Sequence, residues 1–177
     1  KKNINNINYI NMFAFYNRHN NNLYNKLVEL SRNIFFYKDL KLKDNFETRV
    51  ILIFFHFSVI LLKFKKSSSS KFPQKIFDNI FLNIEYHLRE LGHGDVVVNK
   101  KMKTLNKIFY NILLKMEINN DNKLVLKKNI INEHFILNDD NSSKIASKLE
   151  EYYGNFCNFC FELEDEIMLK GKIDYKY

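Results

Sequence analysis

Apolar residues recur along this chain at steps of three and four, with polar residues filling the gaps in the same rhythm. The clearest stretch runs from Phe77 to Met116. Its first half sets Phe77, Ile80, Phe81, Ile84, Leu88 and Leu91 on one stripe and leaves Asp78, Asn83, Glu85, Arg89 and Glu90 off it, which predicts an amphipathic helix with a single core face. The rhythm breaks at Gly92-His93-Gly94-Asp95. Gly92 stands where a left-handed helix C-terminus costs least, and Asp95 offers a carboxylate to the free N–H groups of a following turn. Beyond this corner Val98, Met102, Leu105, Ile108 or Phe109, Ile112 and Met116 restore the period, while Lys100, Lys101, Lys103 and Lys107 crowd the other side. The prediction is two helices joined at a glycine hinge, the second with a basic face.

The remaining segments read as further helices. Residues 1–22 alternate Asn with scattered Ile, Tyr and Phe and hold no sustained period, so they read as a flexible or partner-ordered arm. Leu23, Leu27, Leu30, Ile34 and Phe35 predict a first helix ending near Tyr37 to Leu40, with a connector at Lys41 to Asn45. Phe46 to Phe64 is intensely apolar, and its stretch of 13 residues from Val50 to Leu62 is interrupted only by His56 and Ser58. That falls short of the roughly 20 residues a helix needs to span a bilayer, so it reads as a central core helix with His56 buried and hydrogen-bonded. The basic, Ser-rich run from Lys63 to Phe72 reads as a solvated linker. Asn119 to Asn122 is a polar break, Leu124 to Leu137 predicts another helix, and Asn138 to Ser143 combines loop and N-cap chemistry. The last helix uses Ile145, Leu149, Tyr152 or Tyr153, Phe156, Cys160, Leu163 and Ile167, carries many acids, and closes at Gly171. The expected fold is all-α: a single compact bundle of about six helices over residues 23–177, preceded by the arm at 1–22.

Composition sharpens this picture in a few places. A chain of 177 residues has room for one domain with a real core. Its single Pro and four Gly favour long helices over short strands and turns. Abundant Asn, Lys and Ile with no Trp suggest an AT-rich genome, which accounts for part of the formal charge of +8. The rest favours an acidic partner such as nucleic acid or an anionic membrane face. The first residue is not Met, which fits a processed or truncated N-terminus and removal of a targeting segment.

Candidate chemistry is sparse. Cys157 and Cys160 form one C-x-x-C, which is half a zinc site or a redox pair, but nothing completes a tetrahedral set and Phe161 stands where haem attachment needs His. They read as two thiols on the buried side of a helix. The five histidines lack ligand spacing, and no phosphate loop, nucleophile elbow or H-E-x-x-H is present. The chain therefore reads as a binding or assembly protein without cofactor or metal, and not as an enzyme.

Several of these residues also carry a resemblance. Phe77-Asp78, Leu88-Arg89-Glu90, Gly92-x-Gly94-Asp95, Lys100-Lys101-Met102-Lys103 and Phe109-Tyr110 look like the signature of the ubiquinol-cytochrome c chaperone family. Upstream, Ser31-Arg32 with Phe36-Tyr37, Phe46-Glu47 and the His56 helix resemble that family's first half in the same order. The likeness covers about Tyr24 to Met116 and fades beyond it. It implies an all-helical assembly factor for the cytochrome bc1 complex (complex III), binding newly made cytochrome b with a small assembly-factor partner near the ribosome exit and inner membrane. Carried over, the partner- and client-binding positions are Arg89, Glu90, Gly92, Gly94, Asp95, Lys100, Lys101, Lys103, Phe109 and Tyr110.

Each of these positions has a plainer role open to it. Arg89 and Glu90 could only bridge neighbouring helices, and the glycines could only permit the corner. Lys100, Lys101 and Lys103 are better candidates for contact, because like charges in one turn repel unless an acidic surface answers them. His93 between the glycines, the Asn-rich arm and the C-x-x-C depart from the family pattern. The leading function is an assembly chaperone holding an apolar client, for which a groove lined by Phe54, Phe55, Phe57 and Phe81 is expected. It would sit in the mitochondrial matrix at the inner membrane, with a bacterial cytoplasm as the alternative. Two other classes remain open: a permanent structural subunit of a mitochondrial ribosome or respiratory complex, and a peripheral membrane module using Lys63, Lys65, Lys66 and Lys71.

Overall fold

A computed structural model of the chain describes residues 22–67, 71–127, 129–135 and 142–177. The expected arm lies outside these residues except for Asn22, which starts α1 (Asn22–Ser31). A π-helical turn at Phe35–Asp39 follows, then α2 (Phe46–Ser67), α3 (Gln74–Glu90) and α4 (Asp95–Leu114). The hairpin strands β1 (Met116–Ile118) and β2 (Leu124–Leu126), then α5 (Ile130–His134), α6 (Ser142–Glu162) and α7 (Asp165–Leu169), complete the order. The fold is all-α apart from that hairpin.

The organising helix is α2. Every residue from Val50 to Ile60 is buried, because α1, α4, α6 and β1 pack around it on several sides. An apolar run without a polar face suits a helix enclosed in this way. Among the described residues no helix is long and apolar enough to cross a membrane. Rings fill the space on two sides of α2. On one, Phe54 and Phe57 meet Phe77 and Phe81 of α3 and Phe109 of α4. On the other, His56 meets Tyr152, Tyr153 and Phe156 of α6 at centroid distances of 4.9 to 5.5 Å.

Where the structure departs from the periodic reading, the causes are local. Leu124 to Leu137 is not one helix. Leu124–Leu126 pairs antiparallel with Met116–Ile118 in the register Glu117 opposite Val125. The turn is built by Asn119, whose side-chain carbonyl accepts the N–H groups of Asp121 and Lys123 at 3.0 and 2.9 Å. Asn122 takes the left-handed conformation with φ +59°, as short Asx-type turns favour. Residues 136–141, which include most of the expected loop after it, lie outside the described residues. The last helix is interrupted: α6 stops at Glu162 and α7 begins at Asp165. Ile34 was expected on the core stripe but is 60% exposed, because α1 ends at Ser31 and the chain enters the π-helical turn. Leu91 likewise leaves the stripe at the end of α3, while Asn83 is buried and donates to the Asn79 carbonyl at 2.7 Å.

Candidate functional site at the glycine hinge

The corner between α3 and α4 forms as its glycine spacing implies. Gly92 sits at φ +85°. Its N–H donates to the Arg89 carbonyl at 2.9 Å and the His93 N–H reaches back to the Leu88 carbonyl at 3.4 Å, the paired bonds of a Schellman ending. Gly94 differs, with ordinary angles of φ −72° and ψ 163° as the residue before α4. A side chain there would meet nothing within 4 Å, so the fold itself does not demand glycine at this position. Asp95 was expected to cap α4 but makes no capping bond. Its carboxylate instead takes the Arg89 guanidinium across the corner. Arg89 also holds Glu85 one turn back, through Nη2 at 2.8 Å and Nε at 3.2 Å. Asp95 and then Glu85, accepting these bonds, raise the guanidinium pKa above its ordinary value. Glu90 approaches the His87 Nε2 at 3.9 Å. Arg89 and Asp95 thus tie the two helices together at the hinge.

The second half of the signature divides between the faces of α4. Phe109 is fully buried, with ring centroids 5.1 to 5.8 Å from Phe54, Phe57, Phe77 and Phe81. It can act on a partner only by fixing the helix that presents its neighbours. Tyr110, the next residue, is 51% exposed. Lys101 reaches Glu47 at 3.9 Å. Lys100, Lys103 and Lys107 have no acidic group within salt-bridge distance among the described residues. The acidic last helix therefore does not neutralise them.

Beside this face lies a groove of about 590 Å³. Phe46 and Ile51 of α2, Leu88 of α3, and Val97, Leu105 and Ile108 of α4 supply its apolar walls, with Lys100 and the Lys101–Glu47 pair on its rim. Exposed Val96 continues the apolar surface toward the hinge. This is not the groove expected from the sequence. Phe54, Phe55 and Phe57 are all 0% exposed and Phe81 is half-buried, because α2 is enclosed by other helices and its rings fill the core.

A family model described as ubiquinol-cytochrome C chaperone matches residues 38–175. The chain belongs to the ubiquinol-cytochrome c chaperone family. Its membership spans most of the chain, including the C-terminal part where motif likeness is faint. No curated protein and no solved structure matches the chain. The family points to a chaperone role in the assembly of complex III and to a client protein partner.

The buried ionisable groups of this chaperone-family chain, His56, the two cysteines and Lys63, serve the core. His56 Nδ1–H donates to the Leu52 carbonyl at 2.7 Å. That fixes the tautomer, since a carbonyl only accepts, and leaves Nε2 to accept the Tyr152 hydroxyl at 2.9 Å. Burial without a counter-charge lowers the His56 pKa to about 4. Cys157 and Cys160 are buried as read from sequence, and burial raises the Cys157 thiol to about 11 and Cys160 further still. Neither is poised as a thiolate nucleophile. Among the described residues no cluster of His, Cys, Asp and Glu has the makings of a metal site. Lys63 is buried on the Leu163 carbonyl at 2.9 Å and on Asp165, clasping α2 to the break between α6 and α7.

Proposed function

We propose that this chain is an assembly chaperone for cytochrome b of ubiquinol-cytochrome c reductase. It holds the newly made subunit on the matrix side of the mitochondrial inner membrane, close to the ribosome exit, together with a small assembly-factor partner. One arrangement supports the reading beyond family membership: an apolar groove at the hinge edged by Lys100, which with Lys103 and Lys107 further along α4 has no acidic group in salt-bridge range among the described residues. A client held temporarily needs both apolar contact and charges that speed encounter and release. In this scheme Lys100, Lys101, Lys103 and Tyr110 touch the partner. Arg89, Glu90, Gly92, Gly94 and Asp95 shape the corner that presents them, and Phe109 anchors α4 from below.

The test is mass spectrometry of proteins that co-purify with the tagged chain from gently solubilised membranes, before and after a high-salt wash. Cytochrome b and a small partner, with ribosomal proteins lost in salt, are the expected result. Stoichiometric and salt-resistant ribosomal or respiratory-complex subunits would overturn the chaperone reading and make the chain a permanent subunit.

A further inference from the structure

Six residues of α4 form a single outward line: Val96, Lys100, Lys103, Lys107, Tyr110 and Leu114, all exposed. Their steps of four and three keep them on one side of the helix over about 27 Å, or five turns. Chemistry along the line is not uniform. Its ends are apolar, with Val96 83% and Leu114 74% exposed. Its centre is three lysines spaced as helical neighbours, with no acidic group in salt-bridge range among the described residues. Such spacing makes them repel one another. The groove opens along the same edge and shares Val96 and Lys100 with the line. At about 590 Å³ it falls within the usual range of ligand pockets. Gly94, at the upper end, presents no side chain to an approaching backbone.

We propose that this strip and groove dock an amphipathic helix of a partner protein that is acidic at its centre and apolar at its ends. Carboxylates three and four residues apart on that helix meet Lys100, Lys103 and Lys107. Its large aliphatic side chains enter the groove beside Val97 and Ile108, in the manner of a helix laid in an apolar groove. This rests on the chaperone reading and names the docking surface of that same site. Other occupants fit less of what is present. A phosphate backbone would use the lysines but leave the groove and the apolar ends exposed. A bilayer is too flat to fill a recess between three helices. Residues 1–21 of the chain carry Lys1, Lys2 and Arg18 and no acid, so they would add to the charge instead of answering it.

The probe is a labelled synthetic helix of about 25 residues, long enough to cover the strip, with Glu at three- and four-residue steps in its centre and Leu on the adjoining face. Fluorescence anisotropy is read with the wild-type protein and with Lys100→Glu/Lys103→Glu/Lys107→Glu. The acidic helix should bind the wild type in a salt-sensitive manner and lose about tenfold or more in affinity for the triple variant. A version with Lys in place of Glu should bind the triple variant in preference, and a urea unfolding transition like the wild type's shows that variant folded. Equal binding of the acidic helix to both proteins, or none to either, overturns the proposal. So does lysine-dependent binding of poly(U) or of phosphatidylcholine/cardiolipin vesicles that exceeds binding of the acidic helix. Self-association abolished by the triple variant would assign the surface to a second copy and overturn it too. Co-purification from membranes separates this inference from the one beneath it. If the triple variant retains cytochrome b at wild-type levels, the docking surface is wrong and the chaperone reading stands; if the wild type recovers none, the chaperone reading fails.

Discussion

The stability of this protein should fall in mild acid because of one residue. His56 lies fully buried on α2, neutral, donating from Nδ1 to the Leu52 carbonyl and accepting from Tyr152 at Nε2. Protonation would put a second N–H against a hydroxyl whose own proton then points the wrong way. In the unfolded chain the imidazole titrates near its ordinary value of about 6.5, while in the fold burial holds it down to about 4. The unfolded state therefore takes up a proton first as pH falls, and that uptake favours unfolding. The stabilisation is fully present above pH 6.5, declines below it, and levels off near pH 4. Linkage gives a loss of about 3 kcal/mol in full, most of it by pH 4.5. The assay is urea unfolding followed by circular dichroism from pH 7.5 to 4.5, on wild type and His56→Gln. Glutamine cannot titrate but retains a donor and an acceptor. Carboxylates and the half-buried His134, whose pKa burial also lowers, act in both proteins and cancel in the difference. A difference curve flat within about 0.5 kcal/mol across that range would refute the reasoning, because His56 would then protonate within the fold.

Three further sets of substitutions probe other parts of the fold, all by urea unfolding. Phe109→Ala removes a fully buried ring packed among four others and should cost about 4 kcal/mol, whereas Tyr110→Ala beside it should cost under about 1 kcal/mol. Gly171→Ala combines φ +70° with an added Cβ only 2.4 Å from the Asn22 carbonyl oxygen, so it should cost well over the roughly 1–2 kcal/mol of the left-handed conformation alone. Gly92→Ala, at φ +85° in open space, should cost no more than that conformational cost, and Gly94→Ala should be nearly neutral. Asp165→Asn leaves Lys63 buried without its counter-charge and should cost about 3 kcal/mol, while Lys63→Met/Asp165→Leu should be milder because no charge is stranded.

The sequence was most informative where one physical requirement dominated. The apolar run in α2 had to be buried, and Gly92 had to end a helix, because φ +85° excludes most other residues. Both features came through from the chain alone, as did buried His56, the buried cysteines and the closing role of Gly171. Legibility failed where two periods coincide. Leu126, Ile130 and His134 satisfy helical spacing, yet Leu124 and Leu126 also stand two apart as one face of a strand requires, and the turn set by Asn119 selected the hairpin. The helix ends failed for a related reason: Ile34 and Leu91 continue the pattern past the point where the backbone turns away, and so become exposed.

The candidate site shows a deeper limit. Aromatic residues in α2 suggested a client groove because a phenylalanine in sequence looks the same whether it fills a core or lines a surface. Only the packing of α1, α4 and α6 around α2 distinguishes the two. The basic residues were easier to place, since Lys100, Lys103 and Lys107 stand off the apolar stripe of α4 and could not be buried unpaired. What spacing could not reveal was that no acid among the described residues answers them, since the acidic last helix was free to pack against α4. The fold instead directs Asp165 to Lys63 and Glu166 to Lys170. A charge imbalance that the sequence leaves ambiguous thus becomes a local property of one helix, and that property makes the hinge face the place to look for a partner.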